Sequence, residues 1–491
     1  MQKLFLRGLG ITLLLNLLVK PATIFLVDIK MQNELGSATY GIFQTMLSFT
    51  FLFSMFLDMG ITNFMTRMIA QHPHMIYKYS NRLFTFRLIL VMLYVIWTVS
   101  LFFILRFPME WLWVLGALIM HQISIITVNY VRAYTGGLLK FGLDAVLSVA
   151  ERSVYFVLGG LLMYTTLVEP VTLKWFVAAF VSSSGLSLVL ATLIYLKMVA
   201  FPKVQWDMDF FKAIFRQSFP YAVLVILMML TSRLDAVFIE KLHPDGTNQV
   251  SYYTQSFRLL DACWMFAVLF GSILLPVFSR LLKENGSTTG IMTTALNILF
   301  SGGILMIAFT IGIKELMFNL LYKEANSFSY YTWVFHSIAF IPMCFTVVFG
   351  TLLTANGSLR IMNQIAFLSL LVVCVLNLAL IPFFGAVGAS IAFLVSQTIL
   401  GVLQYLVVRY QMKHRLAPYT WMKLIILTAA LIGVMWLEIL FAWPPLYFII
   451  AIGFTWTALV FGLRIIDIVQ VLKMLKGGNK AGEEEALTEV N

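Results

Sequence analysis

Charge is what this chain has least of. Only 11% of its 491 residues are Asp, Glu, Lys or Arg and 61% are hydrophobic, where a soluble domain is about 25% charged. At a mean hydropathy of +0.92, no room remains for a sizeable soluble domain. Cysteine is nearly missing too. The three present, Cys263, Cys344 and Cys374, sit inside apolar runs, which excludes a disulfide scaffold and reads as packing. The six histidines make no ligand spacing, and His72 and His74 in "QHPH" belong to a basic loop, so no metal centre is expected. Polar–apolar alternation is lacking, which excludes a membrane β-barrel. No small-residue cleavage site follows the first apolar run after Lys3 and Arg7, so that run is expected to stay as a span.

What the chain does have is a succession of apolar runs. Spans of about 20 residues cross a bilayer as helices, which satisfy their own backbone. Fourteen are predicted, near 8–30, 41–66, 83–105, 110–131, 145–165, 171–196, 215–240, 252–279, 291–313, 330–354, 361–383, 386–408, 420–440 and 444–463. Loops on the N-terminal side then hold 23 Lys and Arg, and loops on the opposite side hold 6. This positive-inside bias predicts both termini in the cytoplasm. The net charge of +11 is mostly that loop bias, and no nucleic-acid partner is expected. The opposite loops are short, which disfavours a membrane glycan polymerase or ligase. The segment Phe201–Gln217 mixes aromatic and charged residues and predicts an interfacial amphipathic helix. The acidic tail predicts disorder.

The chain also resembles itself. Asp28 to Tyr40 and Glu240 to Tyr252 have the same spacing, as do Tyr40 to Arg67 and Tyr253 to Arg280; Gly137–Lys140 ("GLLK") corresponds to Gly357–Arg360 ("GSLR"). A duplicated six-span unit follows. Six is even, so both copies have one orientation and are related by an axis along the membrane normal, with a cavity between them. The expected layout is an N-terminal six-helix bundle (1–197), an amphipathic linker (198–212), a C-terminal six-helix bundle (213–416), two extra helices (417–476) and a disordered tail (477–491).

Leaving aside those within five residues of a span end, four basic residues fall inside spans: Lys20, Arg152, Arg233 and Arg258. Lys20 and Arg233 are 213 residues apart, the offset of the repeat. A cation in mid-bilayer costs at least about 2.5–3.5 kcal/mol, so these are expected to face a wet cavity. Asn16 shares a helical face with Lys20, and Gln255 shares one with Arg258. A cationic cavity suits an anionic, phosphate-bearing substrate. Structural readings stay open: Arg258 and Asp261 could pair on one helix, Arg233 and Asp235 could pair with neighbouring spans, and Arg152 beside Glu151 could snorkel. Asp58, Asp235 and Asp261 are the candidates for coupling to H+ or Na+, and the sequence does not choose among them. No other cofactor is expected. Pro21, directly after Lys20, is expected to bend span one, and Pro342 lies inside span ten.

Two stretches resemble a known family. "FPYAVLVILMMLTSRLDAVFIEKL" with "YYTQSFRL" and "LLPVFSRLL" is similar to the seventh and eighth spans of polysaccharide transporters. These are the O-antigen or oligosaccharide flippases of the multidrug/oligosaccharidyl-lipid/polysaccharide (MOP) exporter superfamily. Thr354–Gln397 resembles their tenth to twelfth spans, in the pattern Asn377, Leu380–Pro382, Gly385, Gly388 and Ala389. The resemblance implies an all-α polytopic membrane protein with two six-helix bundles forming a V, plus two C-terminal helices. It implies a transporter rather than an enzyme, moving an undecaprenyl-pyrophosphate-linked oligosaccharide across the bacterial cytoplasmic membrane by alternating access. Its partners would be that lipid-linked glycan and membrane lipids, with one chain expected to suffice. Lys20, Arg233 and Arg258 stand where such cavities carry cations, with Arg152 nearby. A cation-coupled multidrug exporter of the same superfamily is the alternative. Its site would centre on acids.

Overall fold

The computed structural model describes residues 16, 18–59, 61–62, 65, 69, 76–138, 140–166, 170–199, 202–283, 286–413 and 417–466. The tail expected to be disordered, 477–491, lies outside them. Helices account for nearly all of the described chain. In order they are α1 (18–35), α2 (Ser37–Phe53), α3 (Ile76–Ile104), α4 (Leu112–Gly137), α5 (Phe141–Tyr164) and α6 (Leu173–Met198). There follow α7 (Met208–Leu242), α8 (Gly246–Lys283), α9 (Thr289–Gly312) and α10 (Ser327–Phe345). The 53-residue run Leu359–Gln411 forms α11 (359–384) and α12 (386–411), and α13 (Pro418–Phe441) and α14 (Pro445–Gly462) complete the fold.

Nine helices among the described residues are long and apolar enough to cross a membrane, counting Leu359–Gln411 as one. That helix is in fact two arms. Gly385 breaks it with φ 52 and ψ −126, a conformation open to glycine because it has no Cβ. Ser369 and Ser396, 27 residues apart, share a 2.7 Å hydrogen bond. A straight helix would hold them about 40 Å apart, so α11 and α12 fold back on each other. Gln249 of α8 fixes the turn by accepting the Ala386 amide at 2.9 Å.

Other local features also follow from sequence. Pro21 lies just ahead of a π-helical turn at Ile24–Asp28, and Pro342 just ahead of one at Thr346–Gly350. Each proline removes a donor from the turn before it, and the widened turn follows within one to two turns of the ring. Pro418 and Pro445 open α13 and α14, where a missing N–H costs nothing. The linker differs from expectation. Residues 202–207 are extended, and the helix begins only at Met208, where the Asp207 side chain accepts the Phe210 amide at 3.0 Å. It then runs straight on into α7. Pro202 and the Asp207 cap stop the helix from reaching further back.

Each set of six helices has an apolar core of its own. Tyr40, Phe43, Phe176 and Phe180 centre one cluster of the first set, and Tyr253, Trp333, Phe340 and Phe393 that of the second. α13 and α14 pack on α9 around Leu427, Phe448 and Ile452. The sets meet where α2 packs on α7 and α8. We call the side bearing most Lys and Arg loops the basic side. At the opposite side, Gln32 donates to Ser251 Oγ at 2.7 Å, the Ser37 amide to Glu324 at 2.6 Å, and Lys323 pairs with Glu34 at 2.9 Å. Gly41 lies so near Thr247 that a Cβ there would sit 2.9 Å from its carbonyl carbon. At the basic side the start of α7 reaches under the first set: Phe211 stacks on Phe86 at 5.0 Å, and Asp207 pairs with Arg82 at 3.2 Å.

Candidate functional site

Between these two contact zones lie charged side chains that are neither buried nor lost to bulk water. Arg233 on α7 keeps 28% of its side chain accessible and Asp261 on α8 keeps 42%; they pair at 3.8 Å. Arg152 on α5 keeps 36% and pairs with Glu151 at 3.2 Å. Arg152, Arg233 and Arg258 all act electrostatically on Asp261. α5 belongs to one set and α7 and α8 to the other, so Asp261 sits where the sets face each other. Lys20 on α1, half-buried, lies in the field of Arg152, Arg132 and Glu151. Arg152 is the neighbour they share: it acts on Lys20 and on Asp261, and Arg233 pairs with Asp261. Asn16 holds this end of α1 to α5 by donating to Ser148 Oγ at 3.0 Å.

The guanidinium of Arg233 lies over Phe51 of α2 at 5.0 Å and over Phe257 of α8 at 5.4 Å. Its charge is supported by ring faces from both sets as well as by Asp261. This is how a run as apolar as α7 carries an arginine: the side chain does not face lipid. Asp235, two residues on, turns the other way, as helical spacing requires. It is fully buried inside the second set, accepting from Tyr253 Oη at 2.7 Å and Asn377 Nδ2 at 2.6 Å. His336 borders the same network: its Nδ1 is 2.8 Å from Ser256 Oγ, and its ring meets Tyr253 edge-on at 4.8 Å. His336 Nε2 and Asn377 Oδ1 are buried with no partner among the described residues.

Arg258 has a different post from the other cations. It is buried, donates to the Asp28 carbonyl at 3.3 Å and Gln32 Oε1 at 3.1 Å, and lies 4.5 Å over the Tyr40 ring. All three partners belong to the first set, so Arg258 is a bolt across the seam. Its i,i+3 neighbour Asp261 pairs with Arg233 instead. Gln255 does not reach these charges; it is buried within the second set and accepts from Ser329 Oγ at 2.6 Å. Asp58 is also elsewhere, accepting from the Thr62 amide at 3.1 Å and from the Thr62 hydroxyl. Among the described residues no cluster of three or more metal-ligating side chains occurs.

Sequence reasoning missed four participants. Asp28, marked in the sequence only by the repeat spacing, accepts from Tyr155 Oη at 2.9 Å and offers its carbonyl to Arg258. Gln32 and Tyr40 carried no charge to mark them. His336 was one of six histidines without ligand spacing. A polar residue on an apolar stripe was the available signal for both Gln32 and His336.

Several solved structures are similar in fold. The lipid II flippase MurJ in an inward closed conformation superposes with a TM-score of 0.62 at 14% identity, over 94% of this chain and 99% of that one. The Vibrio cholerae MATE transporter VcmN in its bent form gives 0.52 at 15% identity, over 84% and 98%. An inward-facing multidrug resistance MATE family transporter of the MOP superfamily gives 0.53 at 14%, over 82% and 94%. No curated protein sequence matches the chain. The sequence profile of a polysaccharide biosynthesis protein family matches residues 5–282, more than half of the chain. The chain is therefore a multi-pass membrane protein of the polysaccharide biosynthesis family, with a fold shared with the MurJ and MATE structures.

Proposed function

We propose that this protein flips an undecaprenyl-pyrophosphate-linked oligosaccharide across the bacterial cytoplasmic membrane by alternating access, for cell-surface polysaccharide synthesis. The observation that carries the reading is the gathering of cations in a hollow between the sets: Arg152 and Arg233 act on Asp261, and Lys20 lies in the field of Arg152 and Glu151. A pyrophosphate entering there meets forked and point-charge donors and displaces little protein pairing, because the Arg233–Asp261 contact is long and solvent-accessible. The head group occupies the hollow while the lipid tail stays in the bilayer. The basic side faces the cytoplasm, with both termini. Asp235 is the coupling group for H+ or Na+: it is a dry carboxylate held by neutral donors, whereas Asp261 is held by arginines and Asp58 is spent on Thr62.

The test is charge removal at both repeat-related cations. Lys20→Gln with Arg233→Gln should abolish glycan display while membrane insertion and melting temperature stay near wild type. Normal display from the double variant would end this reading of the hollow.

A further inference from the structure

Arg87 has no part in the hollow, and its surroundings are unusual. It lies eleven residues into α3 and is only 7% exposed. Its guanidinium rests 4.2 Å over the Tyr130 ring, Nη2 makes a marginal 3.5 Å contact with Thr127 Oγ1, and Nη1 is buried with no partner. Among the described residues it forms no ion pair. Asp58 acts on it electrostatically but without contact, and accepts from Thr62 instead. Arginine cannot escape by losing its proton, and a buried charge with no contacting counter-ion is unfavourable.

Arg87, Thr127 and Tyr130 line a groove of about 270 Å³ between α3, α4 and α6. Its other walls are apolar and include Leu88, Val91, Ile123 and Leu196. Leu88 and Leu196 are each 41% exposed on the outside of a membrane helix, so this mouth opens to lipid. Pro202 closes the basic-side end. Lys197 and Lys203 are exposed there, and Trp206, 63% exposed, stands where indoles settle at an interface. Arg82, one turn nearer that interface, is already paired with Asp207. Arg87 is thus the cation left without a contacting carboxylate near the basic-side end of α3.

We propose that this groove binds an anionic glycerophospholipid of the basic-side leaflet, its phosphate on Arg87 and an acyl chain along the Leu88–Leu196 wall. The phosphate supplies the acceptor that Nη1 lacks, and the apolar wall selects a lipid over a free ion. The inference is independent of what the transporter carries.

The test uses the full chain in detergent, delipidated stepwise and followed by intact-complex mass spectrometry. Phosphatidylglycerol, phosphatidylcholine and inorganic phosphate are offered in turn. The wild type should retain one phosphatidylglycerol, and at least ten times less phosphatidylcholine. Arg87→Met should lose that retention tenfold or more. Leu196→Trp fills the groove at an exposed position and leaves the charge in place, so it should lose the lipid too while melting like wild type. Lys413→Gln, a basic-side cation elsewhere, should change nothing. Equal retention of the two lipids, unaltered retention in both groove variants, or displacement by inorganic phosphate alone would overturn the proposal.

Discussion

The seam at the side opposite the basic loops can be forced with a single methyl group. A Cβ on Gly41 would lie 2.9 Å from the Thr247 carbonyl carbon and 3.1 Å from its Cγ2, and closer still to the carbonyl oxygen. Ordinary contact begins at 3.4 Å, so α2 must retreat by at least 3.4 − 2.9 = 0.5 Å. Both surfaces are helical backbone and neither can rotate aside. Overpacking of this kind costs about 1–3 kcal/mol, which shifts an equilibrium between closed and open seam by about 5–150-fold. Gly41→Ala should therefore favour opening. The readout is a single reporter cysteine in place of Ser251, which is fully buried under the Gln32 contact. It is placed in a chain whose Cys263, Cys344 and Cys374 are replaced by serine. A membrane-impermeant maleimide outside intact cells should label it about 5–150 times faster when Gly41 is Ala. An unchanged rate at normal expression would refute the argument, because it would mean that α2 and Thr247 do not approach this closely when the seam is shut.

Arg258→Met removes two charge-assisted hydrogen bonds, each contributing about 1.5–3 kcal/mol, and a ring contact of about 0.5–2 kcal/mol; the same reporter should react faster, with Arg258→Lys in between. Asp235→Asn keeps the shape of the Tyr253 and Asn377 contacts but removes the charge, so transport in vesicles should lose its response to an imposed H+ or Na+ gradient while the protein still folds. Gly385→Ala combines a positive φ of 52° with a Cβ 2.8 Å from Gln249 Cδ; it should lower stability by about 1–3 kcal/mol, read as an earlier thermal unfolding in detergent, and an unshifted melt would show that the turn adapts freely.

Much of this architecture was written in the sequence at low resolution, because membrane helices advertise themselves by length and apolarity. The charges inside the spans were legible for the same reason: in a run like α7, Arg233 and Asp235 stand out. Their partners were not. Whether Arg258 meets Asp261 on its own helix or Gln32 on another depends on how two helix sets lie side by side, and local spacing cannot fix that. The structure decides for Gln32 because α8 turns that face to α1 and α2, leaving Asp261 to Arg233. Gln255 shows the complementary failure. Three residues from Arg258 means roughly one face, but α10 lies close enough to take Gln255 for Ser329.

The placement of Arg233 and Asp235 bears on how transport and driving force could be joined. They are two residues apart on one helix and face opposite ways, Arg233 into the hollow and Asp235 into the dry interior of the second set. On the proposed function, a change of charge at Asp235 alters its hold on Tyr253 of α8 and Asn377 of α11, so α7 can rotate or tilt against them. The same motion carries Arg233 relative to Phe51 and Asp261, which changes how the hollow presents its cations. Linkage requires the reverse as well: cargo pulling on Arg233 must change the ion affinity at Asp235 by the same factor. No relay of side chains across the membrane is needed, because one rigid helix carries both groups. Separating them should therefore uncouple the two. Arg233→Gln should leave ion binding at Asp235 intact but insensitive to lipid-linked cargo, measured on the purified protein with and without cargo. Cargo dependence that survives Arg233→Gln would place the coupling somewhere other than α7.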